Sequence, residues 1–305
     1  MFQEEIIIEF RDLVKEDKTL LDRYFHSRYY ENAHFNFTNF FMWREPFHVQ
    51  LCEENDILYL LNSWEGVQYA MQPFGAEDRM QEGIGRLHRY FESIGKPLRF
   101  SGIEESFAQE LAFDPEAEFE IVERRNDEDY VYLAERLITL SGRKLHSKKN
   151  HLNAFHKTYP QAEYLPITDE LIVPCKIELN NWYKLRLQDE PDDPFIAWER
   201  KAVLEVLNDF RYFDLKGGAL RLENRIIAFT YGEQLNKDTA VIHVEKADPN
   251  VRGAYPAINQ AFVEHEWSRM KYINREEDMG HEGLRKAKES YKPEKMIKKF
   301  SAKIR

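Results

Sequence analysis

Cysteine is nearly absent: the 305 residues contain only Cys52 and Cys175. Two thiols cannot build a disulfide framework or a cysteine-rich zinc site, and both read as small buried hydrophobes rather than nucleophiles. Long apolar runs are missing too. No window approaches roughly 18 consecutive apolar residues, so no membrane-spanning helix is expected. Glycine and proline, at 13 and 12 residues, are too few for a collagen-like or low-complexity chain. The opening residues Met1-Phe2-Gln3-Glu4-Glu5 are acidic where a secretion signal would be basic, so the expected location is the cytoplasm. Metal motifs are lacking. Glu264-His265-Glu266 does not have the His-Glu-x-x-His spacing. His146, His151 and His156 recur every fifth residue, which turns successive side chains by about 140° around a helix. No bound metal is expected.

Aromatics are plentiful, with 21 Phe, 16 Tyr and 5 Trp, and hydrophobic residues make up 43% of the chain. That supply can fill a sizeable core and excludes a disordered chain. The length allows one large domain or two of roughly 150 residues. Net charge is −11, which argues against nonspecific nucleic-acid binding, but the charge is unevenly spread. Residues 285–305 hold nine Lys/Arg against Glu289 and Glu294, and residues 143–157 hold five with no carboxylate. Such asymmetry marks a polyanion-facing surface or, equally, a solvated helix and a basic tail.

The apolar pattern predicts a strand over 5–10, helices over 19–30 and 36–43, and strands over 47–52 and 57–62 joined by a four-residue loop. A strand over 69–74, a helix over 77–94 and strands from 98, 119 and 130 complete the first half. The second half opens with a basic helix over 141–159. One or two helical pieces over 169–187, interrupted or shifted near Pro174, and a helix over 195–213 flank an acidic loop over 188–194. Strands over 219–223, 225–234 and 239–246 lead to an amphipathic helix over 256–270, with Pro256 in its first turn. A strand over 271–275, a short helix over 283–291 and a last strand around Met296–Phe300 close the chain. Each half thus repeats one element order, that of a GNAT (N-acyltransferase) fold. The expected class is α/β with two tandem GNAT-like folds on mixed sheets, divided as residues 1–140 and 141–305. One mixed-sheet domain is the alternative.

Two junctions carry the chemistry. The strand Thr239–Lys246 feeds a helix through Asn250-Val251-Arg252-Gly253-Ala254-Tyr255, a glycine-bearing turn of the kind that aims backbone N–H groups at an anion. It imitates the GNAT pyrophosphate loop, Gln/Arg-x-x-Gly-x-Gly/Ala. Only Gly253 fits that pattern, because Asn250 and Tyr255 depart from it. Arg252, Gly253, Ala254 and Tyr255 are the expected donor-binding residues. The second junction runs Asn274-Arg-Glu-Glu-Asp-Met-Gly280 and continues through Gly283-Leu-Arg-Lys-Ala-Lys288 to Tyr291-Lys-Pro293. Together with Gly142-Arg-Lys-Leu-His-Ser-Lys-Lys-Asn-His-Leu-Asn153, it resembles the phosphatidylglycerol lysyltransferase C-terminal domain family.

That resemblance, specific over about residues 142–293, implies two tandem GNAT-like folds. It also implies transfer of an aminoacyl group from aminoacyl-tRNA, by an acyl- or aminoacyl-transferase that requires no resident cofactor. Aminoacyl-tRNA or acyl-CoA is the expected donor, tRNA the expected partner, and an amine, hydroxyl or lipid headgroup the acceptor. A catalytically inactive RNA- or nucleotide-binding protein and an acetyl-CoA-dependent N-acetyltransferase are the rival readings. Glu245, Glu276 and Asp278 lie where two strand ends of a GNAT sheet splay apart, which makes them candidates for a general base. Asn274 is placed to hold a carbonyl. Arg143, Lys144, Lys148, Lys149, Arg285 and Lys288 are the expected contacts to a tRNA backbone.

Overall fold

A computed structural model describes residues 8–114, 117–189 and 193–305. In chain order the elements begin β1 (Arg11–Asp12), α1 (Lys18–Phe25), α2 (Phe37–Trp43), β2 (Gln50–Glu54), β3 (Ile57–Trp64), β4 (Val67–Ala70) and α3 (Met80–Ser93). Next come β5 (Arg99–Ile103), α4 (Glu105–Ala112), β6 (Phe119–Glu123), β7 (Asp129–Leu133), α5 (Ala134–Thr139), α6 (His146–Thr158), β8 (Glu163–Pro166), α7 (Asp169–Asp189) and α8 (Pro194–Asn208). The chain ends with β9 (Lys216–Leu222), β10 (Arg225–Gln234), β11 (Thr239–Ala247), α9 (Ala254–Glu266), β12 (Tyr272–Asn274), α10 (Glu282–Glu289), β13 (Lys295–Ile297) and β14 (Phe300–Ile304).

The fold is α/β with two mixed seven-stranded sheets, ordered β1-β2-β3-β4-β5-β14-β6 and β13-β7-β12-β11-β10-β9-β8. Each sheet follows the GNAT-like plan: an antiparallel meander, a helix, then a strand parallel to the end of the meander. The parallel contacts are β4 with β5 and β11 with β12. The chain divides into one unit of residues 1–128 plus 298–305 and another of 129–297. The division differs from a single cut at 140/141, for a physical reason. β7 belongs with the second sheet, between β12 and β13, while β14 returns to the first sheet between β5 and β6.

The expected last strand is therefore two short strands in different sheets, separated by Lys298 and Lys299. Part of the opening strand expected over 5–10, and part of the loop over 188–194, lie outside the described residues; residues 8–10 are irregular. Of the two forms expected over 169–187, one helix or two, α7 is the single helix, and it runs through Pro174.

In the second unit the core between the sheet and α5, α6 and α9 is built from Leu152, Phe155, Ile242, Ile258, Phe262 and their neighbours. α7 contacts β10 and β11 and, with α8, covers the other face. α8 starts where the sequence dictates: Asp193 caps Phe195 N–H, and Pro194 takes the first turn, where no N–H is needed.

Candidate functional site

β11 is re-phased in its middle. Tyr231 pairs with Val244 and Gly232 with Ile242, so His243 is an extra residue bulged out of the ladder. A bulge shifts every later side chain to the opposite face. Glu245 and Ala247 consequently join Ala240 and Ile242 on the α9 side, and Lys246 turns toward α7 and α8. Glycine is required opposite the bulge, because a Cβ on Gly232 would collide with the Val241 carbonyl oxygen. On its other edge β11 pairs with β12 only from Thr239↔Tyr272 to Val241↔Asn274, while β11 itself continues to Ala247. The two strands part at this point.

The chain after β12 stays with β7: Arg275 N–H donates to Tyr130 O, and Tyr130 N–H donates to Glu276 O. Glu276 and Met279 take the left-handed conformation, at φ of 57° and 51°. Such backbone needs support from its surroundings. Asn274 Oδ1 accepts the Glu276 N–H at 2.8 Å, and Asp278 Oδ1 accepts the Gly280 N–H at 2.8 Å. The Lys288 ammonium donates to the carbonyls of Arg275, at 2.6 Å, Glu276, at 3.1 Å, and Glu277. The Asn274–Gly280 motif thus builds a loop that aims Arg275 and Glu276 back at β11.

Arg275 Nη2 meets Glu245 Oε1 at 3.0 Å, and Asn259 Nδ2, from α9, donates to Glu245 Oε2 at 2.9 Å. The guanidinium lies 5.1 Å and 5.8 Å from the ring centres of Tyr291 and Tyr132. Lys148 Nζ, from α6, stands 4.5 Å above the Tyr291 ring. Burial works against the Arg275 charge, but Glu245, Tyr132 and Tyr291 together outweigh it and raise the guanidinium pKa. Burial, and then the Arg275 charge, lower the pKa of Lys148. Burial pushes the Tyr291 phenol up to about 12.

His243 lies between two carboxylates, with Nδ1 2.9 Å from Glu276 Oε1 and Nε2 2.9 Å from Glu233 Oε1. Burial disfavours its charge, yet the two hydrogen bonds prevail and raise its pKa to about 9. Lys246 is 7% exposed, and its Nζ sits 2.8 Å and 2.9 Å from the two Glu199 oxygens and 3.8 Å from the Trp182 ring centre. Tyr183 O–H donates to Glu199 at 2.6 Å, and Trp182 Nε1–H donates to the Tyr255 hydroxyl at 2.9 Å.

Arg275 therefore meets Glu245 of β11, and Glu276, the next loop residue, meets His243 two positions earlier on that strand. Asn274 and Asp278 are fully buried behind them. Asn274 donates to Asp129 at 3.1 Å, and Asp278 accepts from Tyr130 O–H at 2.6 Å. Gly253, at φ +87°, forms the expected strand-to-helix turn beside Ala254, and its absent Cβ would lie 2.9 Å from Phe155 of α6. Arg252 is exposed and Tyr255 is 38% exposed.

The basic residues split into two groups. Arg143 and Lys144, just before α6, and Lys149 and Lys157, within its first and last turns, are exposed. Arg285 instead grips Asp278 with two bonds, of 2.8 Å and 2.9 Å, and Lys288 is 8% exposed on its carbonyls. Both have partners inside the protein, which departs from the expected phosphate-facing pair. Much of the remaining C-terminal charge is likewise engaged, with Lys298 on Glu123, Arg305 on Glu118, and Lys299 buried.

Residue-type reasoning missed Arg275, Asn259, His243, Lys246 and Glu199. One signal was present: His243, Glu245 and Lys246 interrupt an otherwise apolar strand.

Among the described residues no helix is long and apolar enough to cross a membrane, and no cluster of His, Cys, Asp and Glu could hold a metal ion. Two GNAT-like sheets with a polar strand divergence in the second give the chain the fold class of the N-acyltransferase-like proteins. Residues 27–303 match the phosphatidylglycerol lysyltransferase C-terminal family, and the chain belongs to it.

A conserved protein of unknown function from Bacteroides thetaiotaomicron is 33% identical with a TM-score of 0.90, over 98% of this chain and 100% of that one. The L-PGS of Bacillus licheniformis shares the fold, with a TM-score of 0.62 at 15% identity over 84% of this chain and 83% of that one. The uncharacterized protein MYCGA3080 of Mycoplasmoides gallisepticum is 29% identical over 179 residues, 58% of this chain and 56% of its own. The match thus spans about half the length of that curated relative.

Proposed function

We propose that the second unit transfers an aminoacyl group from aminoacyl-tRNA to an amine or hydroxyl acceptor in the cytoplasm. The acceptor attacks the ester carbonyl, a new C–N or C–O bond forms, and the ester bond to the tRNA ribose breaks. The acceptor's proton ends on the departing ribose oxygen. The observation that carries this reading is the buried Arg275–Glu245 pair at the point where β11 and β12 part. A buried guanidinium there can hold the oxyanion of the tetrahedral intermediate. Glu245, paired with a cation, serves better to orient Arg275 than to accept a proton. Lys148, whose charged form is disfavoured, is suited to carry the proton from the acceptor nitrogen or oxygen to the departing ribose oxygen.

The Gly253 turn packs on α6, whose exposed Lys149 and Lys157, with Arg143 and Lys144 just before the helix, suit a polyanionic carrier. Tyr255 in the first turn of α9 favours such a carrier over the pyrophosphate of coenzyme A.

A second reading, RNA or nucleotide binding without transfer, is favoured by one fact: Glu245, Glu276 and Asp278 each face a basic side chain. Parallel titration with aminoacylated tRNA, uncharged tRNA and acetyl-CoA separates the readings. Transfer predicts preference for charged tRNA, with affinity falling steeply as salt rises. Equal binding of both tRNAs supports the second reading, and saturable binding of acetyl-CoA alone rejects both.

A further inference from the structure

Two buried polar atoms beside Glu245 have no hydrogen-bond partner among the described residues: Asn259 Oδ1 and Arg275 Nη1. Each belongs to a planar group that already donates a nitrogen to Glu245, Asn259 Nδ2 at 2.9 Å and Arg275 Nη2 at 3.0 Å. Glu245 also fixes the Asn259 amide, because the reverse orientation would set Oδ1 against a carboxylate. Asn259 is 1% exposed, and leaving such groups unmet is costly. Their polarities are opposite: the guanidinium nitrogen asks for an acceptor and the amide oxygen for a donor.

We infer that Asn259 and Arg275 are specificity-determining residues that together read an acyl carbonyl with an N–H donor on the adjacent carbon. The carbonyl oxygen lies against Arg275 Nη1 and the amino group against Asn259 Oδ1. A simple acyl group offers the acceptor only and leaves Asn259 unmet, which costs about tenfold or more in affinity. The inference rests on the transfer reading above and adds which donors that centre refuses.

Wild-type protein, labelled in its asparagine amides and arginine guanidinium groups, is titrated by NMR with L-alanine methyl ester and with methyl propionate, which lacks the amino group. Saturable shifts of Asn259 and Arg275 with the first ester, at least about tenfold weaker with the second, are expected. Asn259→Leu should abolish that difference. Equal responses to the two esters overturn the inference, and no response to either shows that the two atoms share a bound water only. If charged tRNA binds while the Asn259 signal stays still, the inference fails and the transfer reading survives. If charged tRNA does not bind either, both fail.

Discussion

His243 is 2.9 Å from a carboxylate on each side, and the proton it holds is part of the bulge. Its pKa, raised from 6.5 to about 9, sets the sign of its linkage to stability. The contribution is complete below pH 6.5 and is lost as pH rises through 9. Ring-nitrogen NMR should show His243 still protonated at neutral pH, with a midpoint near 9; a midpoint at or below 6.5 would refute the clamp. Asp278 has the opposite sign. Burial favours its neutral form, but bonds from Arg285, Tyr130 and Gly280 lower its pKa from 3.8 to about 2. It therefore supports the fold above pH 3.8 and is lost as pH falls toward 2, a contribution of about 2 kcal/mol. Asp278→Asn should flatten the acid limb of the stability curve. Lys288→Ala, which strips a donor from the loop carbonyls, should cost roughly 3 kcal/mol in chemical denaturation. A loss of under about 0.5 kcal/mol would mean the ammonium does not staple the loop.

At the scale of elements, the bulge in β11 decides which groups meet on each face. Gly232→Ala should destabilise by about 2 kcal/mol or more and move Lys246 away from Trp182, read as a change in indole fluorescence. Unchanged stability and fluorescence would show that the register tolerates a methyl group there. Elements with a strong periodic signal were readable in the sequence: α3 and α9 bury one apolar stripe each, and β2 and β3 form the expected hairpin. That hairpin is tighter than the four-residue loop expected, because Glu54 still pairs with Ile57 and the turn is Asn55-Asp56, both left-handed. The bulge was not readable, since pattern alone says nothing of an extra residue in a ladder. Nor were the ion pairs. A carboxylate at a strand end looks equally suited to catalysis or to an internal partner, and by residue type Arg275 is not distinguished from the charged residues around it.

For the whole molecule, the last strand shows the limit of local reading. Phe300, Ala302 and Ile304 alternate like any half-buried strand, but nothing local says that they pair with β5 and β6 across most of the chain. Removing residues 298–305 should expose the facing edges of β5 and β6. Hydrogen exchange would then show protection lost in the first sheet and retained in β9, β10 and β11. A fragment of residues 129–297 should fold alone, whereas 141–305, lacking β7 between β12 and β13, should not. The opposite result would restore a boundary at 140. The uneven charge also looks different at this scale: much of the C-terminal basic run is engaged within the protein, which leaves α6 as the basic face beside the Gly253 turn.

The account turns on whether Arg275 acts at the divergence of β11 and β12. Single-turnover discharge of a labelled amino acid from charged tRNA, with amine and hydroxyl acceptors supplied in turn, measures this for the wild type and for Arg275→Lys. Arg275→Lys keeps the charge beside Glu245 but loses the forked donor. The account predicts acceptor-dependent discharge by the wild type that falls by about a hundredfold in the variant, the scale of losing one oxyanion donor. Discharge at the wild-type rate by the variant would contradict it.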